Sequence, residues 1–182
     1  MKHNKVIVAV AISLTLVSGS ALAATKAPAT PDWVVQNKTA TPGALNTSVT
    51  QANIATTVCK SGWTATIRPT VTYTNKLKDT QLKTTYLSYT KIWGTAASGY
   101  EEDHLISLQL GGNPTDPKNL WPEPYAGIGA RKKDVVETAL KRLVCAGTLK
   151  LADAQKAILD WPTAYKKYVT AADAATPDTS DN

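Results

Sequence analysis

The chain has 182 residues, 20 Lys and Arg against 14 Asp and Glu for a formal charge of +6, and only two histidines and two cysteines. That length suits one domain with a modest core, and with His3 in the first residues and Cys59 and Cys145 far apart there is no clustered nitrogen and sulfur metal cage of the zinc-finger kind. A mild basic excess permits an anionic partner without specifying one.

Residues 1–23 carry Lys2 and Lys5, an apolar run from Val6 to Val17, and Ala21-Leu22-Ala23. This is the pattern of a secretory signal peptide cleaved before Ala24, and the run is too short for a membrane span. An exported protein is expected, periplasmic or secreted, with no membrane contact once mature. Loss of the leader removes Lys2 and Lys5 and brings the charge to +4, and it removes His3, so His104 is the single imidazole left. In an oxidising compartment Cys59 and Cys145 are expected to form a disulfide, with two separate buried thiols as the alternative.

Residues 24–50 are rich in Ala, Thr, Pro and Asn around a Trp33-Val34-Val35 knot, and they predict a flexible lead-in. A domain over 51–172 follows. It opens with strand-like pieces at Ile54–Val58 and Trp63–Ile67, then a helix from Asn75 to Tyr86 capped by Thr74 or Asn75, with Leu77 and Leu82 inward. After the loop Gly94–Gly99, Tyr100–Leu110 predicts a strand around a bend, stopped by Gly111-Gly112. A turn over Asn113–Lys118 leads to a second short strand, Asn119-Leu120-Trp121, ended by Pro122 and Pro124. Ala130–Cys145 has the helical period, with Val136, Ala139, Leu140 and Leu143 on one arc. Leu151–Trp161 predicts another helix stopped by Pro162, Tyr165–Ala172 a further turn or two, and 173–182 a polar tail. There is no internal repeat. The fold class this order predicts is α+β.

The stretch EEDHLISLQLGGNPTDPKNLWPEP, residues 101–124, gathers the residues suited to chemistry. Phosphodiester hydrolysis needs a base that deprotonates water near neutral pH, a cation at the phosphate oxygens, and a group that orients the base. His104 suits the first role, the oxygen of Asp103 the second and the amide of Asn119 the third. Oxygen donors favour a divalent metal of the Mg²⁺ class, with Mn²⁺ or Ca²⁺ as alternatives, over zinc. Glu101 and Glu102 are expected to be structural or to raise the basicity of His104. Trp63, Trp93, Trp121 and Trp161 are expected in the core, and Asp116 in a turn.

Asp103-His104, Leu108, Gly111-Gly112, Asn119-Leu120 and the helix after them resemble the HNH, or ββα-metal, endonuclease motif. The flanks, among them Cys59, Gly62-Trp63, Arg68-Pro69, Tyr73-Thr74 and Asn119-Leu120-Trp121-Pro122, are similar to small secreted bacterial proteins built on that motif. The resemblance spans about 42–161. It implies a ββα-metal core, metal-dependent hydrolysis of nucleic acid with DNA favoured over RNA, His104 and Asn119 as catalytic residues, and Asp103 as a metal ligand. The chain departs from HNH proteins whose third motif residue is histidine, since none follows Asn119. Asp134 or Glu137 on the helix is the expected substitute ligand, and a solvated Glu137–Lys141 pair is the alternative reading. Arg131, Lys132 and Lys133 oppose the helix dipole beside this site, which suggests phosphate contacts or a solubilising patch. The rival to an enzyme is a non-catalytic exported binding protein on the same fold; no protein partner is expected.

Overall fold

Asn113 and Asp116 build the turn that brings the motif together. The Asn113 side-chain oxygen accepts from the backbone N–H of Thr115 and of Asp116, each at 3.0 Å, and Asp116 Oδ1 accepts from Lys118 N at 2.8 Å. Two five-residue strands, β1 (Tyr100–His104) and β2 (Leu120–Pro124), pair antiparallel on either side of it. Gly112 is fixed by crowding, because a Cβ there would fall 1.7 Å from the Ile106 carbonyl oxygen. These features come from a computed structural model that describes residues 33–175. The expected signal peptide and the tail beyond 175 lie outside the described residues.

β1 stops at His104 and the chain then bends, with a 3₁₀ turn at Leu108–Leu110 in place of a continued strand. Pro122 lies inside β2 and does not end it; the strand ends at Pro124. The ladder bond from Leu105 N to Asn119 O sets the phase of pairing. Counting by twos from it, Pro122 opposite Glu102 and Pro124 opposite Tyr100 have no N–H to supply to the ladder, which is where proline is tolerated. Carbonyls left out of the ladder are taken up by side chains: Lys78 Nζ donates to Tyr100 O, Gln81 Nε2 to Leu120 O, and Lys133 Nζ to His104 O.

Helices make up the rest: α1 (Trp63–Ile67), α2 (Val71–Lys83), α3 (Leu87–Trp93), α4 (Ala130–Cys145), α5 (Leu151–Ile158), α6 (Trp161–Tyr168) and α7 (Ala171–Ala175). The predicted strands at 54–58 and 63–67 are instead a 3₁₀ segment, Gln51–Thr56, and α1. Their runs are too short for period to separate strand from helix, and among the described residues no strand pairs with them. α2 begins earlier than predicted because Thr70 caps it, its hydroxyl accepting from Tyr73 N. Pro162 starts α6 and does not merely stop α5, a position where its missing N–H is not needed. α4 has the predicted bounds.

Val136, Leu140 and Val144 of α4 pack with Leu151, Ile158 and Trp161 in the main core, while Val34, Tyr86, Leu105 and Trp121 form a second cluster. The expected flexible lead-in is, from Trp33 on, part of the domain. Val34 is buried, Trp33 meets Trp161 edge-on at 5.1 Å, and residues 33 and 45 bridge Ile128 and Gly112. The small apolar knot suffices because the surfaces it covers would otherwise be bare. Cys59 and Cys145 are bonded. The architecture is α+β, with one two-stranded antiparallel sheet and one disulfide. No helix among the described residues is long and apolar enough to cross a membrane.

Candidate functional site

Asn119 sits just before β2 and is fully buried. Its side-chain oxygen accepts from Ile106 N at 2.9 Å and Ala44 N at 3.4 Å; its amide donates to Ile106 O and Asn113 O, each at 3.0 Å. One side chain thus closes the loop that begins at His104, its amide supplying two donors and an acceptor oxygen for the four bonds.

His104 is 7 % exposed, with ring Nε2 3.0 Å from Pro114 O. A carbonyl only accepts, so Nε2 carries the hydrogen and Nδ1 keeps the lone pair of the neutral ring. Burial lowers the imidazole pKa, against the Pro114 carbonyl and Asp103, which raise it. The expected upward shift from neighbouring acids is therefore reversed: desolvation outweighs the Coulomb attraction.

His104 borders two cavities. The smaller, about 30 Å³, is lined by Asp103, Asp134, Glu137, Glu101 and Arg68 among others. The other, about 280 Å³, is a cleft lined by Arg68, Thr74, Asn75, Lys78, Glu101, Glu102 and Tyr125. A larger cavity of about 530 Å³ between α5 and α6 shares no residue with either and holds no histidine. Asp103 and His104, neighbours on a strand, share the small cavity because β1 ends and the chain bends at this point.

The helix carboxylates reach this cavity. Asp134 and Glu137 are each 5 % exposed, and Arg131 approaches Asp134 at 3.6 Å. Glu137 pairs with Lys133, one turn before it, and not with Lys141. Lys133 is a correction to the expected phosphate-contact trio: it is fully buried and points at Asp103, where no phosphate in solution reaches it. Arg131 and Lys132 stay exposed, Arg131 over the Tyr125 ring and Lys132 over Tyr165.

Sequence reasoning missed Glu123 and gave no site role to Arg68. Glu123 lies opposite Glu101 in the strand register and is fully buried, with Asp103 as a neighbour. Burial, then the charge of Asp103, push its pKa well up. Glu102 is pushed up to about 9 by burial and Asp103, against Lys78. The hairpin register was the available signal for Glu123, since pairing about the Asn113–Lys118 turn places it across from Glu101.

These acids bear on a metal. Among the described residues no group of three or more His, Cys, Asp or Glu side chains is gathered as a metal site. The donors lining the small cavity are nonetheless hard oxygens, from Glu101, Asp103, Asp134 and Glu137. That chemistry fits an ion of the Mg²⁺ class, which takes one or two carboxylates and keeps several waters. Comparison with protein-family models, curated proteins and solved structures finds no match for the chain.

Proposed function

We propose that the chain is an exported, divalent-metal-dependent endonuclease that hydrolyses phosphodiester bonds of nucleic acid, DNA foremost, on a ββα-metal core made of β1, β2 and α4. The observation that supports it is His104: a buried imidazole whose Nε2 is held by the Pro114 carbonyl, at the junction of a carboxylate cavity and a larger cleft. Nδ1 takes the proton of the attacking water, a role for which a neutral ring is required. Asn119 keeps the loop between His104 and β2 in register, so it positions the base and does not react. Asp103, with Asp134 or Glu137, would hold the cation, whose contribution when bound is to offset charge on the phosphate and the leaving oxygen. Arg68, Arg131 and Lys132 are the side chains suited to phosphate.

A metal-omission digest tests this. With Mg²⁺ the protein is expected to nick supercoiled plasmid, to lose that activity in chelator and to recover it when Mg²⁺ is restored. Absence of cleavage of single- and double-stranded DNA and RNA with Mg²⁺, Mn²⁺ and Ca²⁺ alike would leave a nucleic-acid-binding protein as the better reading.

A further inference from the structure

A lysine ammonium has three N–H donors, and Lys133 Nζ has three oxygens around it: the His104 carbonyl at 2.8 Å and Glu137 Oε1, which accept hydrogen bonds, and Asp103 Oδ2 at 2.6 Å, which forms an ion pair. The side chain is completely buried. A solubilising or phosphate-binding lysine has no use for this arrangement, and a buried cation persists only where it is paired and its donors are satisfied. Two of the three oxygens belong to carboxylates proposed above as cation ligands, and the third is the backbone of the candidate base. Glu123, fully buried, borders the same group. One ammonium therefore faces two carboxylates, Asp103 and Glu137, enough to order both and too little to neutralise them.

We propose that Lys133 is the resident counter-cation of the site: it holds Asp103 and Glu137 on the end of β1 and competes with a divalent cation for those two carboxylates, so that it sets how tightly the site holds one. This rests on the reading above that the cavity takes such a cation. Lys133 acts through other groups and is a positioning residue. With its charge present, the acids stay in place before a cation arrives, and an entering cation shares their oxygens with the ammonium. With its charge removed, the cation becomes the only positive group able to offset them.

The test is Lys133→Met in the full chain, read by thermal unfolding and by calorimetric titration with Mg²⁺. In chelator the variant is expected to melt about 10 °C below wild type, as for a buried ion pair broken on one side. Millimolar Mg²⁺ should restore most of that loss while moving wild type much less. The Mg²⁺ dissociation constant should tighten by about tenfold or more, because a competing charge a few ångströms away is gone. Where Lys133→Met does not fold in chelator, Lys133→Gln, which keeps two donors without the charge, carries the same two measurements. An unchanged Mg²⁺ affinity, a melting loss that Mg²⁺ does not recover, or failure of both variants to fold even with Mg²⁺ would overturn the proposal. Neither readout needs hydrolysis. A wild type that never cleaves, beside a Lys133→Met variant stabilised by Mg²⁺, would reject the nuclease and keep the counter-cation.

Discussion

His104 is exposed by only 7 %, and its protonation is governed by what it loses on burial more than by the acids beside it. The folded pKa lies below the ordinary value of about 6.5. Its contribution to stability is therefore complete above the unfolded value and is lost as pH falls through the folded one. Under the proposed nuclease reading the rate of hydrolysis follows the same group in the same direction: it should rise from acid pH with an apparent pKa below about 6.5 and level off above it. A rate profile whose rising limb is centred above that value would mean that Glu101, Glu102 and Asp103 prevail over burial. The identity of this residue as the candidate base was legible from the sequence, because it is the one imidazole beyond the expected leader and Asp103, a Gly pair and Asn119 flank it in the chain. The direction of its shift was not, since depth of burial depends on the packing of Leu105, Ile106 and Ser107 against distant segments.

At the scale of elements, the hairpin and α4 carry the site, and both were legible. A Gly-Gly stop, Asx turns and an apolar arc at Val136, Ala139 and Leu140 are local signals. Leu143, expected on that arc, is only part-buried, and Val144 takes the inner place. The burial of α4's other side was hidden, because Asp134 and Glu137 read either as substitute ligands or as part of a solvated face, and Lys133 as a phosphate contact or solubilising patch, until β1 is laid beside them. The short helices at 63–67 and 161–168 were equally obscured, as five to eight residues give too little period to decide. Asn119 ties these elements, and its removal separates a structural from a chemical role. Asn119→Ala leaves the buried N–H and C=O of Ile106 without their partners and is expected to cost about 3 kcal/mol in denaturant unfolding. Its rate should fall less than that of a variant lacking the imidazole. A variant with wild-type stability would show that the loop does not depend on this amide.

Across the whole molecule, two long-range ties hold the site-bearing half to the rest. The Cys59–Cys145 disulfide joins the segment before α1 to the end of α4 over 86 positions, and residues 33–50 pack across Trp161, Gly112 and Ile128. The sequence made the disulfide readable through its two cysteines. The packing of 33–50 was not readable, because its Ala, Thr and Pro content matches that of a free linker and only the receiving surface distinguishes them. Replacing both cysteines by serine should lower unfolding free energy by about 2–4 kcal/mol without changing helix content at low temperature; a double variant as stable as wild type would show that the native packing alone fixes these ends. The nuclease reading itself stands on one imidazole. The most direct measurement is cleavage and binding by His104→Ala, shown to be folded, with Mg²⁺ at fixed salt. The expected result is a rate lower by about 10²–10⁴-fold with nucleic-acid affinity nearly unchanged, because phosphate contacts come from Lys and Arg. A folded His104→Ala protein that cuts at the wild-type rate would contradict the account.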